Sequence, residues 1–307
     1  MSFGDPNRGG HPWTLNEDDS RPLLLAAFEA GITTLDTANG YSDGSSEEIV
    51  GRFIADVGER EQFVIATKVF APMRSGGNGG GLSRRAILEQ VEGSLRRLGT
   101  DWIDLYQVHR FDSDTPVDET MEALHDVVKA GKVRYIGASS MWAWQFAQMQ
   151  HTAQQHGWTT FVSMQDQYNL VQREEEREMH PFCAATGVGI LPWSPLARGR
   201  LTRDWDDAST KRADGDDFGK FLYRQSQDAD RAIAAAVAAI AQQRGTSRAQ
   251  VALAWVRQQP AVAAPIVGAT KAHHLQDAID SLRITLTDEE QTLLTRPYTP
   301  RLPEGFQ

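Results

Sequence analysis

Apolar and polar residues follow two rhythms along this chain, and the rhythms trade places from one end to the other. Short apolar or β-branched runs predict strands at 32–35, 63–67, 103–108, 133–137, 161–165, 188–192 and 262–267. Between them, apolar residues recur three and four positions apart. Leu23, Leu24, Ala27 and Phe28 predict a first helix, and Ile49, Val50, Phe53 and Ile54 a second. Ile87, Val91, Leu95 and Leu98 predict a third, and Met121, Leu124, Val127 and Val128 a fourth. Further helices are predicted near 142–156, 174–186, 228–243, after Ser247, and at 271–281 and 287–295.

Start and stop signals frame these segments. Thr14-x-x-Glu17 and Ser45-x-x-Glu48 read as capping boxes, Ser83 and Ser247-x-x-Gln250 as N-caps, and Thr115-Pro116 as a start with proline at the first helical position. Gly31, Gly99 and Gly131 stand where left-handed stops belong. Strictly alternating strands and helices imply parallel strands joined by right-handed crossovers. Seven predicted strands are one short of a closed eight-strand barrel, so the expected class is α/β, a (β/α)8 TIM barrel. The segment 194–226, with Arg198, Arg200, Arg203, Lys211 and Arg212, is the longest without a periodic pattern, and loops of that length usually carry function or are disordered. Gly76 to Gly81 reads as a loop.

Composition narrows the partners. A length of 307 residues with 40% hydrophobic content supports one large core. A formal charge of −10 disfavours nucleic acid and anionic membrane, which leaves a small molecule as the expected partner and a monomer or weak oligomer as the expected state. No apolar run is long enough to span a bilayer, and the polar, glycine-rich start is not a signal peptide. The one cysteine, Cys183, suits a reducing cytoplasmic setting and reads as a space-filling side chain.

The candidate chemistry lies just past three strands. Leu35-Asp36-Thr37-Ala38-Asn39-Gly40-Tyr41 follows the first, Lys68 ends the second and His109 follows the third. In a parallel barrel these strand ends share the catalytic rim. Singly, each residue has an ordinary reading as a cap, packing ring, surface charge or loop histidine. Together, at the ends of separate strands, they suit one chemistry. An ammonium beside a phenol favours the phenolate, so Lys68 makes Tyr41 a better proton donor. Asp36 holds Lys68 charged, and His109 orients a substrate oxygen. Hydride addition to a carbonyl creates an oxygen that needs such a proton. Phe70, Phe111 and Trp142 stand near the same rim, either as pocket walls or as simple packing. No His-x-His pair sits at a strand end, and no metal is expected.

The segments Leu35 to Tyr41, Ala66-Thr67-Lys68-Val69, Asp104 to His109, Tyr135 to Ser140, Pro192-Trp193-Ser194-Pro195-Leu196 and Ile266-Val267-Gly268-Ala269-Thr270 resemble the signature stretches of the aldo/keto reductase family over nearly the whole chain. Within it, Tyr41 to Glu48 and Ser194 to Leu201 are worded most like the bacterial YajO-like branch, which suggests a sugar phosphate or small aldehyde. The resemblance implies an NADP(H)-dependent carbonyl reductase with Asp36, Tyr41, Lys68 and His109 as the catalytic four and Tyr41 as proton donor. It implies Ser139 and Gln165 at the nicotinamide carboxamide, with Ser140 where an asparagine is usual, and Trp193 stacked on the ring. Ser194, Leu196, Arg198 and Arg200 fall along the diphosphate. Gly268 to Asp277 matches the adenosine phosphate site, with Thr270 and Lys271 at a 2′-phosphate. His274 stands where other members carry Arg or Gln, and Ala278 replaces a common asparagine.

Met1-Ser2-Phe3-Gly4 resembles the stretch just after the family's first barrel strand. The expectation is therefore one domain over 1–307 without the N-terminal hairpin and first strand, and with lowered solubility or stability. Two other readings stand beside the reductase: a lyase forming a Schiff base on Lys68, and a non-catalytic NADP(H)-binding barrel that senses redox state.

Overall fold

Parallel strand register staggers the strand-end residues: Asp36 lies two residues below the level of Lys68, and His109 two residues above it. The computed structural model describes residues 1–205, 207, 216–224 and 227–303. Two compact units divide the chain, residues 1–164 and 165–307. The first holds α1 (Glu17–Glu29), β1 (Thr34–Asp36), α2 (Ser45–Val57), β2 (Val64–Val69), α3 (Arg84–Leu98), β3 (Ile103–Val108), α4 (Val117–Lys129), β4 (Val133–Ser139) and α5 (Ala143–His156). It also holds nearly all of β5 (Phe161–Gln165). Strands β1 to β5 lie in chain order, and β1 to β4 pair in parallel. Asp36 is opposite Ala66, Lys68 opposite Gln107, and Gln107 opposite Gly137.

Side chains alternate across these strands, as the strand period of two requires. On β2, Thr67 turns to the helices and donates to Glu47 of α2 at 2.6 Å, whereas Lys68 turns to the opposite face. Glu47 is fully buried and also pairs with Arg97 of α3 at 2.6 Å. Breaking such a buried pair costs about 3–5 kcal/mol, so it ties α2 and α3 to β2. Gly51 of α2 lies where an added Cβ would come within 2.4 Å of the Leu98 carbonyl oxygen, so that close helix approach excludes any side chain.

The second unit carries α6 (Met179–Thr186), β6 (Gly189–Ile190), α7 (Asp217–Leu222), α8 (Gln227–Arg244), α9 (Arg248–Arg257), α10 (Ala272–Ser281) and α11 (Asp288–Thr295). Its core gathers Tyr168, Leu170, Val237, Val251, Trp255 and Leu286. A C-terminal segment is pinned onto this core. Tyr298 donates to Glu174 at 2.7 Å, and Arg301 forms a buried ion pair with Asp230. Among the described residues six strands alternate with helices as far as β6 and five helices follow, an order consistent with a (β/α)8 barrel.

Several sequence expectations need correction. The run 262–267 is no strand. It makes one parallel bridge, Ile190 to Val262, and its further bonds, Ala263 to Ile190 and Ile266 to Pro192, do not build a ladder. Pro192 and Pro265 each remove an N–H that regular pairing would need. The 188–192 strand is correspondingly cut to Gly189–Ile190, and β1 starts at Thr34 rather than residue 32. The first helix is capped by Asn16, whose side chain accepts from the Asp19 N–H; Thr14 instead donates to the His11 carbonyl. Ser45-x-x-Glu48 is no capping box, because Ser45 donates to the Ser42 carbonyl and Glu48 pairs with Arg8. Gly44, at φ +87°, precedes that helix. Pro116 is the N-cap of α4 rather than its first residue. The helix near 174–186 breaks into a 3-10 turn at Glu174–Glu176 and α6. The Ser83 and Ser247 caps and the Gly99 stop form as expected.

Candidate active site

Lys68 is fully buried, and its ammonium is held from three sides. Nζ lies 2.5 Å from Asp36 Oδ1, 2.8 Å from the Thr37 carbonyl oxygen and 3.3 Å from the Tyr41 hydroxyl oxygen. Backbone ladders place all three partners. Thr37 N–H bonds the Ala66 carbonyl and Asn39 N–H the Lys68 carbonyl, so the segment after β1 stays zipped to β2 until it turns at Tyr41. Tyr41 opens a 3-10 turn in which Ser42 and Asp43 both have positive φ, 47° and 49°. Left-handed backbone at two non-glycine residues is unfavourable in isolation and persists only where the surrounding structure holds it.

Burial by itself opposes the Lys68 charge, yet Asp36 and Tyr41 outweigh it and hold the ammonium above its ordinary pKa. A lysine kept protonated has no lone pair for Schiff-base attack, which counts against the lyase reading. His109 is fixed by its N–H bond to the Val69 carbonyl at 2.9 Å, and its ring meets the Tyr41 ring edge-on with centroids 5.6 Å apart. Burial, then the charges of Lys68 and Arg110, keep the imidazole well below its ordinary pKa. At neutral pH it is an uncharged donor. The four candidate residues therefore meet at one place, and the arrangement can protonate an oxygen that is becoming negative.

Sequence reasoning missed a fifth member. Gln107, fully buried on β3, donates to Asp36 Oδ2 at 3.1 Å, on the oxygen that Lys68 leaves open. The available signal was an amide within a strand, two residues before His109. On β4 and just beyond, Ser139 and Ser140 are both buried with their hydroxyls 3.3 Å apart, and Ser140 has φ +45°. Phe111 and Trp144 place their rings 6.1 Å apart, and Trp142 and Trp144 are both exposed.

In the second unit, Gln165 is buried, and Trp193 N–H bonds the Asp166 carbonyl at 2.7 Å, which fixes the indole-bearing strand end. Ser194 has φ +53°, and its carbonyl accepts from Asn169 at 2.9 Å. Leu196 packs against the core. Arg198 is bound to Asp216, with Nη2 to Oδ1 at 2.7 Å, and Arg200 lies over the Trp205 and Tyr223 rings. Lys211 and Arg212 lie outside the described residues. Gly268 to Asp277 leads into α10, whose N-cap is Lys271. Thr270 N–H donates to His274 Nδ1 at 3.3 Å, and Asp277 accepts from Gln250 at 3.0 Å. Cys183 is buried beside Asp166 and Glu175. Burial first, then those carboxylates, push its thiol up to about 12, so it is inert at neutral pH. Among the described residues no helix is long and apolar enough to cross a membrane.

The sequence profile of the aldo/keto reductase family matches residues 1–296. Versiconal hemiacetal acetate reductase of Aspergillus parasiticus is 44% identical over 98% of this chain and 92% of its own length. Aldo-keto reductase AMT2 of Alternaria alternata is 44% identical over 99% of this chain and 88% of its own. A putative aryl-alcohol dehydrogenase of Schizosaccharomyces pombe, C750.01, is 43% identical over 98% of both chains. These relatives are fungal, and they lend no support to the YajO-like bacterial branch.

Proposed function

The chain belongs to the aldo/keto reductase family, and on that premise we propose that it reduces an aromatic aldehyde or ketone to the alcohol with NADPH, Tyr41 giving the proton. One observation carries the reading: a buried ammonium within 3.3 Å of a phenol hydroxyl and 2.5 Å of a carboxylate. Members of the family generally use NAD(P)H. The residues suit such a cofactor. Lys271 begins α10 without any side-chain cap, and an uncapped helix start beside an ammonium favours phosphate. Lys271 and Thr270 at that start favour the 2′-phosphate of NADP over NAD. Trp193 would offer its ring to the nicotinamide and Ser139, Ser140 and Gln165 their polar groups to its carboxamide. Ser194, Leu196 and Arg200 line the diphosphate path. Arg198 takes part through position rather than a free charge, since Asp216 already holds it.

When bound, the reduced dinucleotide supplies a hydride to the carbonyl carbon. His109, neutral, donates an N–H to the carbonyl oxygen and sets its direction. As the C=O π pair moves onto that oxygen, Tyr41 delivers its hydroxyl proton, and Lys68 stabilises the phenolate left behind. Solvent returns the proton, so carbonyl, hydride and one proton make the alcohol. Aromatic substrates suit the exposed Trp142 and Trp144 and the half-buried Phe111, and the names of two relatives refer to an aryl alcohol and a hemiacetal acetate.

The test is NADPH oxidation over a panel of aryl and alkyl aldehydes and ketones by the wild type and Tyr41→Phe. Removing Lys68 would be a poorer test, because the half-buried Asp36 would lose the cation that balances its charge, which endangers folding. The Tyr41→Phe variant is expected to lose about 10²–10⁴ in kcat. Full activity in it would remove Tyr41 as the acid. Cofactor binding without turnover across the whole panel would favour the redox-sensing barrel instead.

A further inference from the structure

Arg110 stands beside the candidate catalytic four, and their chemistry does not use it. It directly follows His109, whose backbone is locked to Val69. Its guanidinium curls back, with Nη1 donating to the carbonyl oxygen of His109 at 2.8 Å, rather than running out into solvent. The side chain is thus held half-buried at the end of β3, next to the imidazole that meets Tyr41 edge-on. Other partly buried arginines of this unit close on a carboxylate, Arg60 on Asp104 and Arg97 on Glu47. Among the described residues no carboxylate pairs with Arg110. Asp112, two residues on, is occupied by the Leu82 and Asp114 N–H groups and the Thr115 hydroxyl.

A guanidinium has five N–H donors in a planar fork that matches a carboxylate. Leaving it half-buried against a single backbone carbonyl is unfavourable, and burial does lower its pKa, with Tyr41 offsetting part of that effect. Lys68 is neutralised by Asp36, whereas Arg110 has no carboxylate partner among the described residues. The next residue, Phe111, sets its ring 6.1 Å from that of Trp144, which is 61% exposed. Two tilted aromatic rings, one of them on the residue that follows Arg110, therefore accompany a fork of donors that no described carboxylate matches.

We propose that Arg110 is a specificity residue that takes a carboxylate carried on the ring of an aryl aldehyde substrate, with Phe111 and Trp144 against the ring. This rests on the carbonyl-reductase reading above. The lysine–phenol centre decides that a carbonyl is reduced; Arg110 decides which carbonyl compounds are held.

The probes are the three ring isomers of formylbenzoate, each against its methyl ester, with the full-length chain and NADPH. At least one isomer is expected to exceed its ester in kcat/KM by about 10-fold or more, through KM, as a charge-assisted hydrogen bond implies. Arg110→Met is expected to bring that ratio close to one, and Arg110→Lys to keep part of it. Ratios at or below one for all three isomers, or a preference untouched in Arg110→Met, would overturn the proposal. Should neither acids nor esters turn over, the reductase reading fails, and calorimetric binding of the same pairs decides the Arg110 proposal. Tighter binding of an acid, lost in Arg110→Met, supports it, and equal binding of acid and ester sinks it.

Discussion

Gln107 donates its side-chain amide to Asp36 Oδ2 at 3.1 Å, from a strand two places removed from that of the aspartate. With Lys68 on Oδ1, the carboxylate is oriented through both oxygens, and its aim at the ammonium is set by β3 as much as by β2. Gly137 of β4 leaves room behind the amide. A Cβ there would come within 2.4 Å of Ser163 Oγ and 3.2 Å of Gln107 Cγ.

Gln107→Leu keeps the volume and removes the donor. Taking one partner from a buried polar group costs about 1–3 kcal/mol, so the urea midpoint should fall. On the proposed roles, kcat should drop about 10-fold with KM little changed, because the loss lies in the aim of Lys68 and Tyr41 rather than in substrate contact. Gly137→Ala should shift kcat in the same direction by crowding the same amide. An unaltered kcat in both variants would make Gln107 a packing residue only.

His109 titrates below its ordinary value of about 6.5 because burial and two neighbouring cations oppose its charge. Between that value and the lower folded one, the unfolded chain binds a proton that the folded chain refuses. Stability from His109 is therefore complete above pH 6.5 and lost as pH falls below it. His109→Gln, which cannot be protonated, should lose less stability than wild type between pH 7.5 and pH 5.5, measured by urea unfolding at each pH. Parallel losses in the two proteins would show that other groups govern the acid limb.

Lys271 begins α10 with no side-chain cap. If it meets a 2′-phosphate, Lys271→Ala should raise the Kd for NADPH about 10-fold, the weight of one charge-assisted hydrogen bond, and leave that for NADH within about twofold. Quenching of tryptophan fluorescence during titration measures both. Equal losses for the two dinucleotides would place Lys271 elsewhere in the cofactor site.

The sequence by itself determined what depends on near neighbours in the chain. The short apolar run from Ile103 to Val108 and the period near 3.6 in Ile87 to Leu98 are local, so β3 and α3 appear where the pattern put them, and the Ser83 cap and Gly99 stop with them. The alternation also implied that Asp36, Tyr41, Lys68 and His109 share one rim. Tertiary structure decided everything that depends on what a side chain meets across strands or helices. Ser45 and Glu48 had the spacing of a capping box, yet Ser42 and Arg8 compete for them and win. The apolar run at 262–267 had strand composition, but prolines on both sides of the pairing left it one bridge. Gln107 gained its role only from a register that sets it between Lys68 and Gly137, and Arg110 only from folding back on the strand end before it. Periodicity encodes which face a residue takes, whereas partners many residues away in the chain are chosen by packing and hydrogen-bond competition that no local pattern contains.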